Sequence, residues 1–370
     1  MSAPLAGLKV VELARILAGP WIGQTLADLG AEVLKVESPQ GDDTRTWGPP
    51  FIDREDDHTA AYFHCTNRGK ESIAIDFTDE ADLAKLKTII VDADVLIENF
   101  KVGGLKKFGL DYESLQAANP KLVYCSVTGF GQDGPYASRA GYDFLIQGMS
   151  GIMSLTGEPD GPPRKIGVAF ADVFSGLYGV IGIQAALTER NTSGLGQHID
   201  ISLLDCMTGV LANQAMNYLA SGNTPKRLGN AHPNIAPYQT FATSDGDIIV
   251  ACGNDRQFSA LCGVLGLDHL GTDPKFATNP ERVSNRAVLT SLLGTAIQGW
   301  TKHDILQALE TAVVPAGPIN TVAEALNDPQ IVHRGLQITP EGVPGLRTPL
   351  SFSRSKLSLT RAAPKRPRRL

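Results

Sequence analysis

The chain has 370 residues, of which 42% are hydrophobic and 19% are charged, and its formal net charge at pH 7 is −6. This composition excludes a disordered, collagen-like or coiled-coil chain. The length predicts two domains, and the mild acidity argues against a nucleic-acid-binding surface. Apolar runs stay shorter than about 18 residues and the first residues lack a basic region, so we expect neither a membrane span nor a signal peptide.

The cysteines and histidines indicate no metal site. Five cysteines include no Cys-x-x-Cys pair, and seven histidines are scattered along the chain. Neither pattern has the ligand spacing of a zinc centre. The cysteine usage favours a reducing compartment, and we expect a cytoplasmic protein.

Strand and helix signals alternate in the first third of the chain. The predicted strands are residues 8–13, 31–36, 72–76, 95–98 and 122–127, and the predicted helices between them are residues 20–29, 80–93 and 112–118. This alternation is typical of an α/β domain built on a parallel sheet.

Longer helices are predicted from residue 142 onward. They cover residues 143–155, 173–190 and 203–220, with a strand at 198–202. A stretch rich in Pro, Asn and Gly at 225–237 predicts a linker, and two further strands follow around a Ser-Asp-Gly turn. We therefore predict a large α/β domain over residues 1–220, completed by residues 330–370, and a smaller α+β domain over residues 221–329.

One Gly-x-Gly-x-x-Gly motif occurs, at Gly129, Gly131 and Gly134, after a predicted strand. Pro135 follows it directly and no amphipathic helix begins there, so a pyrophosphate would meet no helix N-terminus. The motif gives little support for dinucleotide binding.

Asp172 lies among apolar residues just before a predicted helix. One interpretation is a helix N-cap, a position that favours aspartate. The other is a carboxylate nucleophile, made reactive by partial desolvation and kept ionised by the helix N-terminus. The two interpretations are compatible, and the local pattern leaves both open.

Ordered motifs extend through most of the chain. They are residues 5–12 (LAGLKVVE), 18–20 (AGP), 29–37 (LGAEVLKVE), 67–72 (NRGKES), 98–100 (ENF), 126–135 (SVTGFGQDGP), 141–143 (GYD), 171–172 (AD), 194–200 (GLGQHID), 227–230 (RLGN) and 315–318 (PAGP). In this order they resemble the class III CoA-transferases, the CaiB/BaiF family that includes formyl-CoA transferase.

The resemblance implies a Rossmann-like large domain, a smaller second domain and two chains interlocked as a homodimer. It also implies that Asp172 is the nucleophile of an acyl-CoA:carboxylate CoA-transferase. CoA would move from an acyl-CoA donor, possible donors including succinyl-CoA, to a small carboxylic acid through aspartyl anhydride and aspartyl-CoA thioester intermediates. Coenzyme A would be a substrate, and no permanently bound cofactor is expected.

Residues that contact the acyl group are also implied by the resemblance. Tyr142 occupies the position of a histidine in related 2-methylacyl-CoA racemases, and a tyrosine with a pKa near 10 is a poor proton shuttle. A transferase is therefore favoured over a racemase or epimerase. Gly253 and Asn254 occupy the position of a glycine-rich lid, although a simple turn after a strand is an equal interpretation of this segment.

Contacts to CoA are expected along the large domain. The implied residues are Arg15, Leu17, Ala18, Glu37, Arg45, Tyr62, Asn99, Phe100, Lys107 and Phe108. Lys107 and Arg45 are candidate phosphate partners, and Arg15 or Arg45 could hold a second carboxylate of the substrate. Leu17 and Ser38 depart from the formyl-CoA transferase pattern, which favours a larger dicarboxylic or branched acyl group.

The last fifteen residues contain Lys356, Arg361, Lys365, Arg366, Arg368 and Arg369 and no acid. A non-catalytic CoA-binding or nucleic-acid-binding protein that uses this basic tail is a further alternative. A frayed, solvated terminus is the expected state of the tail.

Overall fold

The computed structural model describes residues 2–367, which divide into two compact units. The first unit comprises the chain up to Met153, Lys165–Leu211 and the chain from Pro329, and the second comprises Ser154–Arg164 and Ala212–Asp328. Residues 154–164 and the helix after residue 211 thus group with the second unit, in contrast to the predicted boundary at 220. Hydrogen bonds join residues 154–164 to the second unit, because Arg227 donates to the carbonyl oxygens of Glu158 and Gly161.

The strands are β1 Lys9–Glu12, β2 Glu32–Glu37, β3 Phe51–Arg54, β4 Asp57–Ala60, β5 Glu71–Ala74, β6 Val95–Glu98, β7 Val123–Thr128, β8 His198–Ser202, β9 Tyr238–Thr243, β10 Gly246–Ala251, β11 Ala316–Pro318, β12 Gln337–Ile338 and β13 Gly345–Leu346. The helices are α1 Ala18–Asp28, α2 Ala61–Asn67, α3 Glu80–Val91, α4 Tyr112–Gln116, α5 Asp143–Met149, α6 Ile152–Leu155, α7 Phe170–Ser193, α8 Leu203–Gly209, α9 Ala212–Ser221, α10 Asp255–Val264, α11 Asp268–Thr272, α12 Asn279–Ser284, α13 Arg286–Ile297, α14 Lys302–Thr311, α15 Val322–Asn327 and α16 Pro329–His333. Short 3₁₀ turns occur at Asp43–Thr46, Lys106–Phe108 and Pro340–Gly342.

A six-stranded parallel sheet forms the centre of the first unit, in the order β5-β2-β1-β6-β7-β8. Its central strands β6 and β7 are buried on both faces, and alternate side chains point in opposite directions. Val10, Ile97 and Cys125 belong to one core cluster, whereas their neighbours Val11, Leu96 and Tyr124 belong to another. This two-sided burial confirms the predicted α/β organisation of the first part of the chain.

Helix α7 packs against α1 on one face of the sheet. A side-chain carbon at Gly176 would lie 2.9 Å from Trp21 and 3.1 Å from the carbonyl oxygen of Ala18, so glycine permits this close approach. By length and composition alone, α7 is also apolar enough to cross a membrane, and 33% of its most apolar window is buried inside the protein.

Charged side chains are buried at the end of β1. Glu12 is 0% exposed and lies between the Nζ atoms of Lys35, at 3.1 Å, and Lys70, at 2.7 Å. Removal of one partner from such a cluster leaves an uncompensated buried charge, which is strongly destabilising. The cluster therefore fixes the end of β1, where the loop into α1 begins.

The C-terminal segment is docked on the first unit, in contrast to the expected frayed tail. Arg361 forms an ion pair with Glu71 at 3.0 Å, and Lys365 and Arg366 donate to the backbone carbonyl oxygens of Glu55 and Gln40. These contacts hold the side chains of Arg361, Lys365 and Arg366 in place. Arg368 and Arg369 lie outside the described residues.

The second unit contains a three-stranded antiparallel sheet in the order β11-β10-β9, covered by helices. Its core includes Ile248 and Val250 from β10 and Phe258 and Leu261 from α10. The predicted linker before this sheet lies at residues 225–237, between α9 and β9.

Candidate active site

The order of strands reverses between β1 and β6, so their loops diverge above the carboxyl edge of the sheet and leave a crevice. A cavity of about 450 Å³ occupies this position. Its lining residues are Arg15, Ile16, Leu17, Ala18, Asn99, Phe100, Lys101, Val102, Gly104, Val127, Thr128, Gly129, Ala137, Arg139, Ala140, Gly141, Tyr142, Asp172 and Leu203. All of them belong to the first unit.

Asp172 enters the cavity as the third residue of α7. The N-cap position is occupied by Ala169, so the N-cap interpretation of Asp172 is wrong. Within residues 2–367, no group donates a hydrogen bond to the Asp172 carboxylate. Burial, and secondly the nearby charge of Asp143, raise the pKa of Asp172 to about 7. These effects outweigh the stabilisation of the carboxylate that was expected from the helix N-terminus.

Two tyrosines predicted for the site occupy different environments. Tyr142 is 66% exposed, occupies the N-cap position of α5 and lines the cavity. Tyr62 is half-buried, with its ring edge-on to Trp47 at 5.3 Å. Burial and the neighbouring Asp172 charge raise the pKa of Tyr62 well above its usual value. Its hydroxyl therefore stays protonated and can donate a hydrogen bond.

A pair of glycines brings two walls of the cavity into direct backbone contact. A side-chain carbon at Gly141 would lie 2.5 Å from the Cα of Gly129, and one at Gly129 would lie 2.6 Å from the Cα of Gly141. No side chain fits between these backbones. The Gly129 of the glycine motif therefore shapes the cavity, because it lets the segment that carries Tyr142 approach the end of β7.

The loops after β1 and β6 are joined by reciprocal hydrogen bonds. Arg15 N–H donates to Asn99 Oδ1 at 2.9 Å, and Asn99 Nδ2 donates to the carbonyl oxygen of Arg15 at 2.7 Å. The Arg15 guanidinium lies 5.7 Å from the centre of the Phe100 ring. Leu17 and Ala18 line the adjacent wall, so the structure brings these five predicted residues together.

The structure does not bring Arg45 and Glu37 to the cavity. Arg45 donates to both carboxylate oxygens of Glu37 at 2.7 Å and stacks 3.6 Å from the centre of the Phe63 ring. Both side chains are buried, and the pKa of Glu37 is lowered because the favourable contacts of Arg45, Lys35 and Ser72 outweigh its desolvation. Arg45 is thus fully used inside the protein, which contradicts its predicted contact with phosphate or a substrate carboxylate.

Lys107 and Phe108 also lie outside the cavity lining. The Lys107 ammonium covers the Phe108 ring at 4.7 Å, and Phe108 packs edge-on against Phe77. Nothing in the sequence around residues 107–108 indicated this local pairing. Lys101, six residues earlier, lines the cavity instead.

Gly253 and Asn254 belong to the second unit. Asn254 is the N-cap of α10, where its side-chain oxygen accepts from the N–H of Gln257, and Gln257 Oε1 accepts from the N–H of Gly253 at 2.8 Å. Within its unit, this segment has the geometry of a turn that leads into a capped helix.

Four residues were missed from the sequence: Lys101 and Arg139 line the cavity, and Asp143 and Gln147 lie behind it. Arg139 lines the cavity and lies 4.5 Å from the centre of the Tyr136 ring and 5.2 Å from that of Phe130. Asp143 adjoins Tyr142 in the GYD motif, which was the available signal for it. Nothing in the local pattern pointed to Gln147, whose contacts join segments far apart in the chain.

A carboxylate that accepts no hydrogen bond from the described part of the chain, in a cavity at the carboxyl edge of a parallel sheet, fits an α/β enzyme that uses a carboxylate nucleophile. Residues 5–367 match CoA-transferase family III, and the chain belongs to this family. The protein is therefore a CoA-transferase.

Several relatives are similar over almost the whole chain. A succinate–glutarate CoA-transferase of Agrobacterium fabrum is 55% identical, with 98% of this chain and 92% of the relative covered. A human succinyl-CoA:glutarate CoA-transferase is 40% identical, with 98% and 83% covered. A crystal structure of a CaiB/BaiF family protein from Brucella suis is 64% identical and covers 100% of this chain and 97% of that chain, with a TM-score of 0.90.

Proposed function

We propose that the protein exchanges CoA between the thioesters of two dicarboxylic acids, with Asp172 as the covalent nucleophile. The observation that carries this proposal is the position of Asp172, whose carboxylate accepts no hydrogen bond from residues 2–367 and lines the cavity at the strand-order reversal. Its raised pKa adds nucleophilicity to the ionised form, because a more basic carboxylate is a better nucleophile.

The first half-reaction forms a covalent CoA adduct of Asp172. A carboxylate oxygen of Asp172 attacks the thioester carbonyl carbon of the donor, the C–S bond breaks, and CoA leaves as the thiolate from a mixed anhydride. The thiolate then attacks the aspartyl carbonyl carbon. The donor acid departs as its carboxylate and leaves an aspartyl-CoA thioester.

The second half-reaction reverses these steps with a new acid. The acceptor carboxylate attacks the aspartyl thioester carbonyl, which expels the CoA thiolate and forms a second anhydride. The thiolate attacks the acyl carbonyl of the acceptor, which releases the new acyl-CoA and the free Asp172 carboxylate. One thioester replaces another, so the exchange needs no external source of energy.

Dicarboxylic acids are proposed as substrates for two reasons. Both of the CoA-transferases described above carry succinyl or succinate and glutarate in their names. In addition, Arg139 lines the cavity, is stacked on aromatic rings, and has no ion pair among residues 2–367. A planar guanidinium binds a carboxylate through two parallel hydrogen bonds. We assign the distal carboxylate of the substrate to Arg139, and the CoA phosphates to Lys101 in place of Arg45 and Lys107.

We also propose that two chains assemble as an interlocked homodimer. Apolar side chains on α7 support this proposal, because Leu177, Tyr178 and Ile181 are 42%, 43% and 61% exposed. Adjacent exposed apolar residues of this kind mark interaction surfaces. Light scattering after size-exclusion chromatography should give twice the 39.4 kDa chain mass, and Ile181→Asp should shift the protein towards the monomer. A wild-type monomer would contradict the homodimer.

The proposed function is tested by trapping the intermediate. The protein is incubated with succinyl-CoA, quenched with borohydride or hydroxylamine, and digested for mass spectrometry. We expect reduction or hydroxamate formation at Asp172, none in Asp172→Asn, and unchanged labelling in the control Asp92→Asn, an exposed carboxylate at the end of α3. An unmodified Asp172 during turnover would refute the proposal. Solvent deuterium at the acyl α-carbon would instead indicate a racemase.

A further inference from the structure

A fully buried glutamine lies behind the site, outside the cavity lining. Gln147, on α5, is 0% exposed. Its Nε2 donates to Asp143 Oδ2 at 2.8 Å and to the carbonyl oxygen of Val168 at 3.3 Å, and its Oε1 accepts from the N–H of Ile166 at 2.9 Å. One side-chain amide thus joins a carboxylate of α5 to the segment that leads into α7.

The Asp143 carboxylate continues this connection to the nucleophile. Its second oxygen, Oδ1, accepts from the N–H of Ala171 at 2.9 Å, and Ala171 directly precedes Asp172. Residues 166, 168 and 171 are therefore all held, directly or through Asp143, by the Gln147 side chain. The donors and acceptors match only one orientation of the amide, because the N–H of Ile166 requires an oxygen.

We propose that Gln147 is a positioning residue for the acyl-transfer reaction: its amide fixes both the Asp143 carboxylate and residues 166–168, and thereby sets the place of Asp172 in the cavity. This inference rests on the proposed function, because it concerns the nucleophile of that reaction. Gln147 does not line the cavity, so its effect on catalysis is exerted through Asp143 and the first turn of α7.

The position of a nucleophile affects the rate of the chemical step more strongly than it affects substrate affinity. A displacement of about 1 Å can cost on the order of 100-fold in rate. Gln147→Met keeps the side-chain size and removes all three hydrogen bonds. We expect kcat to fall about 10- to 100-fold, with a KM for acyl-CoA that changes less than about threefold.

Asn119→Leu is the matched control. Asn119 is a buried amide of the same unit that donates to the carbonyl oxygens of Ile90 and Ala93 at 3.1 and 2.8 Å, and it does not line the cavity. Its substitution should lower the melting temperature by an amount similar to Gln147→Met while kcat stays close to wild type. Equal losses of kcat in the two variants would show that Gln147 supports only the fold.

The pH dependence of kcat in Gln147→Glu distinguishes a positioning role from a purely structural role. The introduced carboxyl group, when neutral, can donate its O–H to Asp143 and accept from the N–H of Ile166, whereas its ionised form repels Asp143. The first turns of α7 and α8, which pack against α5, add the titratable groups Asp172, Asp205 and Cys206. The carboxylates of Asp143, Asp172 and Asp205 raise the pKa of the introduced carboxyl group, whereas Cys206 stays neutral because burial raises the pKa of its thiol.

The ratio of Gln147→Glu to wild-type kcat should therefore rise as the pH falls, while the ratio for Gln147→Met stays flat. If Gln147→Met fails to fold, the pH dependence of the Gln147→Glu ratio decides alone. A flat ratio, or wild-type kcat in Gln147→Met, would overturn the inference while labelling of wild-type Asp172 still supports the proposed function. Absence of that labelling would refute the function itself.

Discussion

The Asp143 carboxylate accepts a 2.9 Å hydrogen bond from the N–H of Ala171, the residue immediately before Asp172. Burial is the main cause of the raised pKa of Asp172, and the charge of this same Asp143 carboxylate is the second cause. One side chain thus orients the first turn of α7 and adjusts the basicity of its nucleophile. Asp143 and Asp172 have separate tasks because only Asp172 lines the cavity.

The pH dependence of kcat/KM should report the titration of Asp172. The carboxylate form is the nucleophile, and its pKa is about 7, so kcat/KM should fall about tenfold per pH unit below that value. Asp143→Asn removes the like charge and should move this acidic limb to lower pH. Since burial is the larger cause, the limb should remain above the usual aspartate range.

The exposed Asp92→Asn should leave the limb where it is in the wild type. If the acidic limb of the kcat/KM profile lay at the same pH in Asp143→Asn and in the wild type, this would contradict the assignment of the limb to Asp172 with Asp143 as its charged neighbour.

Arg139→Met should change the selectivity between acids. Loss of a charge-assisted carboxylate contact costs about 1.5–3 kcal/mol, or roughly 10- to 100-fold. With acetyl-CoA as donor, kcat/KM for glutarate should fall by this factor while that for butyrate stays within about threefold. The exposed Lys121→Met removes one positive charge outside the cavity and should change neither value.

If Arg139 bound a CoA phosphate instead, Arg139→Met would weaken inhibition by added free CoA and lower kcat/KM equally for both acids. That result would contradict the assignment of the distal carboxylate to Arg139.

Gly141→Ala should damage both the fold and the site. The added methyl group would meet the Gly129 backbone at 2.5 Å, and backbone cannot rotate away, so we expect a loss of about 1–3 kcal/mol in the free energy of unfolding and a lower kcat. Gly148→Ala is the control, because its methyl group would meet only Met153 Sδ at 3.7 Å. In a helix this change should be neutral or stabilising by up to about 1 kcal/mol. Denaturant unfolding measures the stability of each variant, and steady-state kinetics measures its kcat. Equal stabilities of Gly141→Ala and Gly148→Ala would contradict the close contact.

Strands of the parallel sheet were predictable because their burial on both faces leaves continuous apolar runs. Residues 95–98, which begin with a Val-Leu-Ile run, form a strand with the predicted bounds. Residues 198–202 at the edge of the sheet also have the predicted bounds, although their polar and apolar side chains alternate. Helix continuity was harder to predict. The expected helix 143–155 is interrupted at Gly151, which has φ of 91°, and the expected helix 203–220 is interrupted at residues 210–211, after which α9 begins at Ala212 with φ of 46°. An alanine gives no sequence signal for a left-handed backbone conformation.

Site residues next to the strand ends were predictable, and those defined by tertiary pairing were not. Arg15 and Asn99 follow strands β1 and β6, and they line one cavity with Asp172, which the AD motif placed near the start of a helix. Arg45 was misassigned because the sequence shows a cation near Glu37 but not that the two form a buried bidentate pair. Gln147 was missed because two of its three side-chain partners are 19 and 21 residues away along the chain, and the third, Asp143, is a neighbour on the same helix, which gives no sequence signal of a role for Gln147.

The anhydride mechanism at Asp172 is tested most directly by following the transfer of oxygen from the acceptor carboxylate to the Asp172 carboxylate during turnover. With an acceptor whose carboxylate carries ¹⁸O, the bridging oxygen of the second anhydride stays on Asp172 when the thiolate attacks the acyl carbonyl. The peptide that contains Asp172 should therefore gain about 2 Da after one turnover, and the label should pass to the released donor acid in the next turnover. New acyl-CoA formed without ¹⁸O in Asp172 would contradict the anhydride mechanism.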